Sequence, residues 1–148
     1  MRSADELPCT IERAAIDAPE SKELMTELWA EIDQLYGNET PSRVELVHSG
    51  WAKAIFVIAR QAELAVGCGA VLPRSDGVAE VKRVFVRRGA RRSGVARKIM
   101  QELERIARAE GFSEIWLETG LRQPGAIRLY ESLRYKRFLV SVSTRRTR

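Results

Sequence analysis

The chain of 148 residues is poor in the residues that metal centres and redox scaffolds need. It has two cysteines, Cys9 and Cys68, far apart and in no Cys-x-x-Cys or Cys/His ligand spacing. That excludes a disulfide framework and a zinc site and leaves both as apolar fillers. The single histidine, His48, stands in a polar stretch between Pro41 and Gly50 and reads as a surface-loop residue. No apolar run approaches the roughly 20 residues of a membrane span, and Met1-Arg2-Ser3-Ala4-Asp5-Glu6 is too acidic for a signal peptide. The expectation is a cytoplasmic protein that uses no membrane and no metal. No internal repeat or low-complexity linker interrupts it.

What is present suits one domain over residues 1–148. A chain of this size buries roughly two-thirds of its unfolded surface, enough for a continuous core without staples. Hydrophobic residues make up 45% and charged residues 30%, too apolar a balance for disorder. The net charge of +5 gathers at residues 82–98 and at the extreme C-terminus, which favours an anionic ligand.

The patterning predicts a first strand from Thr10 to Ile16, then a helix over 19–36. Asp17 serves as its acidic cap, Pro19 stands in its first turn, and Glu20 lies at capping-box spacing. Leu24, Leu28, Ile32 and Leu35 give that helix one apolar face, and Gly37 ends it. Ala54 to Ala59, Glu63 to Leu72 and Val78 to Val86 read as an antiparallel meander, its second turn being Pro73-Arg74-Ser75-Asp76-Gly77. Gly67 and Gly69 mark a bulge or a close approach in the middle strand, since no third glycine or following helix makes them a dinucleotide fingerprint.

The most informative stretch follows. Val81 to Val86 runs into Arg87-Arg88-Gly89-Ala90-Arg91-Arg92-Ser93-Gly94 and then into a helix whose apolar face is Ile99, Leu103 and Ile106, stopped by Gly111. The first amides of a helix have no intrahelical acceptor, and the helix dipole places partial positive charge there. Such a turn holds phosphates. Ile115-Trp116-Leu117 then forms a strand parallel to Val78–Val86, and a last helix starts at Pro124 with Ala126, Ile127, Tyr130 and Leu133 on one face. Lys136 to Val142 leaves room for one more strand before the basic tail Ser143 to Arg148.

A meander ending in Arg91-x-x-Gly94-x-Ala96 at a helix start resembles the GCN5-related N-acetyltransferases, whose signature turn is (Gln/Arg)-x-x-Gly-x-(Gly/Ala). Gln123-Pro124-Gly125-Ala126-Ile127-Arg128-Leu129-Tyr130 resembles the family's second segment, (Asn/Gln)-x-x-Ala-x-x-(Leu/Phe)-Tyr, in the right order and at the usual distance. The match is close over residues 78–135 and topological over the N-terminal half. The implied fold is α/β (α+β), a mixed, mostly antiparallel central sheet flanked by helices, with a splayed parallel strand pair. Three residues depart from the pattern: Arg92 replaces a small glycine, Arg88 a common proline, and Arg134 a glycine that often closes the last helix.

The resemblance implies direct transfer of an acetyl group from acetyl-CoA to a primary amine of a small molecule or peptide. Pyrophosphate would lie on the turn Arg92, Ser93, Gly94, Val95, Ala96 and Arg97, with Arg91 and Arg92 as charged partners. Backbone groups of Val84, Phe85 and Val86 would pair with the pantetheine arm as an extra strand, through a gap between Val84 and Leu117. Gln123 and Ala126 would contact the cofactor. An amine acceptor arrives largely as ammonium, with a solution pKa of about 10.4 if lysine-like, so a base is required. Glu80 is the candidate, acting through a water, and Glu118 competes for the role. Tyr130 would protonate the departing thiolate. Two alternatives stand beside this reading: an acyl-CoA sensor with idle catalytic groups, and a basic nucleic-acid binder. The second is disfavoured because the arginines lie at a strand-to-helix turn rather than along a helix face. A homodimer is compatible with the sequence, and the acceptor is not written in it.

Overall fold

In a computed structural model the structure describes residues 8–37, 49–118, 124–137 and 143–147. Among the described residues seven strands form one sheet: β1 (Cys9–Ala14), β2 (Ile55–Gln61), β3 (Leu64–Ser75), β4 (Val78–Val86), β5 (Glu114–Glu118), β6 (Lys136–Arg137) and β7 (Ser143–Thr147). Their spatial order is β1-β2-β3-β4-β5-β7-β6. Every pairing is antiparallel except β4 with β5, the pair joined by a helical crossover. The helices are α1 (Pro19–Tyr36), α2 (Val95–Ala109) and α3 (Pro124–Ser132), with short 3-10 turns at Ser49–Lys53 and Arg88–Ala90.

The sheet separates two apolar layers, as the alternation of strand side chains requires. Phe56, Ile58, Cys68, Ala70 and Phe85 face Leu24 and Leu28 of α1. Val57, Ala59, Val71, Ala79 and Val81 face the other way, against Ile99, Leu103 and Ile106 of α2 and against Tyr130 and Leu133. On α3 the residue that packs into this layer beside Ala126 is Leu129 rather than the expected Ile127.

Several local expectations need correction. The cap of α1 is Ala18, with no side-chain hydrogen bond, and not Asp17; Pro19 at the first position leaves one fewer orphan amide in that turn. Ser21 instead ties the helix down, its hydroxyl donating to the Ala15 carbonyl at 2.7 Å. Pro73 is not in the turn. It belongs to β3 opposite Ala79, and the hairpin is tightened to Asp76-Gly77, with Gly77 at φ 73. The tail Ser143–Thr147 is itself a strand, lodged between β5 and β6, so the sheet continues beyond the single late strand expected.

Both later helices end on paired bonds of one type. After α2 the Phe112 amide donates to Ala107 and the Gly111 amide to Arg108, with Gly111 at φ 90. After α3 the Tyr135 amide donates to Tyr130 and the Arg134 amide to Glu131, and the two tyrosine rings meet edge to face with centroids 5.9 Å apart. Arg134 takes the left-handed position, φ 71, where Gly111 stands in the other helix.

Arg134→Gly is therefore expected to stabilise the fold by about 1 kcal/mol, raising Tm by about 2–4 °C in a thermal melt. Gly69→Ala is expected to act oppositely, because a Cβ there would lie 2.8 Å from Ile99 Cγ2 and 2.9 Å from Leu103 Cδ1. Overpacking of that kind costs about 1–3 kcal/mol. An unchanged Tm in either variant would contradict the packing described.

Candidate active site

β4 is paired on both sides only over its first half. Val78, Ala79, Glu80 and Val81 lie opposite Glu114, Ile115, Trp116 and Leu117 of β5, and the ladder stops there. On the other side β4 stays with β3 to its end, Val86 opposite Gly67, but not in even register. Cys68 faces Phe85 while Ala70 faces Lys82, so Gly69 is opposed by two residues, Arg83 and Val84. This is a β-bulge, and Arg83 takes it at φ 61. The Cys68 thiol donates to the Arg83 carbonyl at 3.3 Å, and burial pushes that thiol up to about 12, which makes it inert. The Arg83 guanidinium lies 4.8 Å from the Trp29 ring and 5.1 Å from the Trp51 ring, pinning the bulge to α1 and to the following 3-10 turn.

The glycines opposite the bulge have the close-approach role expected. A Cβ on Gly67 would lie 2.8 Å from the Phe85 carbonyl oxygen, and one on Gly69 would strike α2. Neither has room for a side chain.

Beyond the split opens a cleft of about 630 Å3. Val84, Phe85 and Val86 form its floor, and Leu28, Glu31 and Ile32 of α1 form one wall. The turn contributes Arg91, Arg92 and Gly94, α2 contributes Val95, Ala96 and Arg97, and α3 contributes Ala126, Arg128 and Tyr130. At the turn Gly94 is left-handed, φ 80 and ψ 8, and α2 has neither a side-chain cap nor an acidic residue in its first turn. The intrahelical ladder begins with the Lys98 amide on the Gly94 carbonyl. The amides of Val95, Ala96 and Arg97 thus precede the first ladder bond, at the positive end of the helix dipole.

The arginines differ in what holds them. Arg91 donates from Nε to the Val86 carbonyl at 2.7 Å and from Nη2 to the Glu31 carboxylate. The side chain expected to grip phosphate is thus already tied to α1. Arg92 is exposed, at φ 64 in the region that suits the family's glycine, and makes no hydrogen bond or ion pair with a described residue. Arg97 donates to the Ser132 hydroxyl at 2.7 Å, bridging α2 to α3. Ser93 turns back on its own segment, its hydroxyl donating to the Ala90 carbonyl at 2.5 Å, and does not line the cleft.

Tyr130 is buried, 8% exposed, with its side chain in the α2 layer at the cleft. Burial pushes its phenol up to about 12, so at neutral pH it carries its proton. Glu80 is not in the cleft. It ion-pairs with Arg74 at 3.0 Å and Lys82 at 3.5 Å, and alternation puts it on the α1 face, since Ala79 and Val81 face α2. Expectations placed on Gln123 and on the Glu118 side chain fall outside the described residues.

One arrangement was missed in the sequence. Glu20, Glu23, Glu27 and Glu31 form a stripe along α1 that meets arginines from the sheet and turn: Arg60 with Glu20, Arg87 with Glu23 and Glu27, and Arg91 with Glu31. The spacing of three, four and four was visible, but not the partners.

A model described as the Acetyltransferase (GNAT) family matches residues 21–135. The chain belongs to the GNAT acetyltransferase family. An IAA acetyltransferase of Azospirillum brasilense is 36% identical over 109 residues, 73% of this chain and 71% of that protein. The human N-acetyltransferase 8 is 34% identical over 87 residues, 55% of this chain and 38% of its own. Among solved structures, that of a Klebsiella pneumoniae protein named as an acyl-CoA N-acyltransferase superposes with a TM-score of 0.77 at 28% identity, covering 94% of this chain and 97% of that one. A PaiA N-acetyltransferase of Thermoplasma acidophilum, in complex with coenzyme A, shares the fold at TM-score 0.73 and 15% identity, covering 96% of this chain and 100% of that one. This GNAT protein is an acyl-CoA-dependent acetyltransferase whose acceptor bears an amine. No described helix is long and apolar enough to cross a membrane. Among the described residues no group of three or more His, Cys, Asp or Glu is placed to hold a metal.

The Tyr130 environment sets a pH dependence. Its folded pKa lies above the ordinary 10.0, so the native state holds the proton more tightly than the unfolded chain. Its contribution to stability is complete below pH 10 and is lost as pH rises towards about 12. Denaturant melts at alkaline pH are expected to show a shallower loss of stability for Tyr130→Phe than for the parent. Parallel curves would place the phenol in water.

Proposed function

We propose that this GNAT protein moves the acetyl group of acetyl-CoA directly onto a primary amine of a small molecule or peptide. The observation that carries the reading is the meeting, in one cleft, of a β4 edge released from β5, the first-turn amides of α2 and a protonated, buried phenol. The diphosphate would lie on the amides of Val95, Ala96 and Arg97, with Arg91 and Arg92 as charged partners, Arg91 exchanging Glu31 for phosphate. The pantetheine arm would run along Val84–Val86 as an added strand, and an N–H of that segment would hold the thioester oxygen as charge builds on it.

The acceptor's neutral amine attacks the carbonyl carbon, a C–N bond forms and the C–S bond breaks. The sulfur leaves as a thiolate, whose conjugate acid has a pKa near 8.5 by analogy with cysteine. Tyr130 donates the proton it needs. Glu80 receives the ammonium proton through water along the α1 face, because Val84 lies four steps further along the strand, about 13 Å. Glu118 is the other candidate for this role.

A second reading is kept by one observation: Glu80 is engaged by Arg74 and Lys82 outside the cleft, as in a protein that binds acyl-CoA without using its base. Thiol release from acetyl-CoA, followed across a panel of small amines, amino acids and peptide N-termini, separates the two. Acceptor-dependent release supports transfer, and slow hydrolysis indifferent to every amine supports the sensor. Tyr130→Phe is expected to lower kcat about 100-fold with acetyl-CoA affinity held within about twofold; unchanged turnover removes Tyr130 from the chemistry. Glu80→Gln is expected to lower kcat and flatten its rise with pH, and an unaltered profile would shift the base to Glu118.

A further inference from the structure

The charges lining the cleft exceed what a diphosphate on the α2 turn needs. Among the described residues four arginines line it, Arg91, Arg92, Arg97 and Arg128, against one acid, Glu31. Three come from the turn and α2 and are accounted for: Arg91 meets Glu31 and the Val86 carbonyl, Arg97 meets Ser132, and Arg92 stands beside the amides that would receive the diphosphate. Arg128 differs. It belongs to the opposite wall, on α3, is exposed, and makes no hydrogen bond or ion pair with a described residue. Its Nη2 reaches back to 4.0 Å from where a Cβ of Gly125 would stand, so the guanidinium lies over the first turn of its own helix, in which no acid offsets it.

A guanidinium at a cleft wall, with no described carboxylate paired to it, suits a phosphate monoester, which carries about −1.5 to −2 charge at pH 7 and accepts paired N–H bonds. An acyl-CoA carries one such group apart from its diphosphate, the phosphate on the 3′-hydroxyl of its ribose. We propose that Arg128 is the residue that recognises this 3′-phosphate, so that the protein distinguishes acetyl-CoA from its 3′-dephospho form. The proposal rests on the acyl-CoA reading of the cleft and adds to it which part of the cosubstrate α3 reads.

The test is calorimetric titration of the full chain with acetyl-CoA and with acetyl-3′-dephospho-CoA. The parent is expected to bind acetyl-CoA about tenfold more tightly. Arg128→Gln, an exchange between two good helix formers on an exposed face, is expected to abolish that preference by weakening acetyl-CoA alone, and Arg128→Lys to keep part of it. Arg92→Gly supplies the contrast. It relieves a strained backbone and so melts higher, yet weakens both thioesters alike and leaves their ratio intact. Equal affinity of the parent for the two thioesters, or an undiminished preference in Arg128→Gln, overturns the assignment of Arg128. A parent that binds neither thioester overturns the acyl-CoA reading of the cleft itself.

Discussion

The constraint on which the site depends is that β4 keeps one neighbour and gives up the other. Its pairing with β3 reaches Val86, while its pairing with β5 ends at Val81. Backbone groups released from a ladder inside a protein must find partners, and leaving them unmet costs free energy comparable to a lost hydrogen bond. In the free protein the Val86 carbonyl is met by the Arg91 side chain. An extended ligand arm is the other kind of partner such an edge accepts. The split is held open by packing: the bulge at Arg83 rests on the Cys68 thiol and two tryptophan rings, and Gly67 and Gly69 let α2 and β4 approach a strand that any side chain would push away.

Electrostatics then join α1 to the phosphate turn. Exposed ion pairs contribute little stability singly, about 0–1 kcal/mol each, so the acidic stripe of α1 serves chiefly to fix where that helix lies. Its last member, Glu31, holds an arginine that the proposed function assigns to phosphate. Under the proposed function, filling of the cleft is thereby coupled to α1, which forms one of its walls. The glutamates nearer the start, on Arg60 and Arg87, keep their partners whether the cleft is full or empty, because those arginines do not line it.

Much of this was legible in the sequence, for reasons that differ by element. The periodicity of Leu24, Leu28 and Ile32, and of Ile99, Leu103 and Ile106, marked helices because those stripes must meet a core, and the turn at Gly94 was marked by a glycine that only a left-handed position demands. The parallel strand pair followed from a strand-helix-strand order. What escaped depended on partners distant in the chain. Gly67 and Gly69 marked a bulge or close approach in β3, but that the extra residue is carried by Arg83 on β4 is a matter of register that no composition there announces. β7 was missed because Ser-Thr-Arg-Arg-Thr reads as a solvated tail, and only its place between β5 and β6 makes it a strand. Arg91 carried the right charge for phosphate, but its carboxylate partner lies sixty residues earlier. Glu80 is on the expected strand, yet its side chain falls on the face away from Tyr130, which residue type alone does not reveal.

The central claim is that the first-turn amides of α2 and the free edge of β4 form one binding surface for a CoA thioester. It is tested most directly by following backbone amide resonances of the labelled protein as coenzyme A is added. The account predicts that the largest shifts fall in two segments, Val95 to Arg97 and Val84 to Val86, saturating together at one equivalent. Shifts that leave both segments unmoved, or that move one without the other, would contradict it.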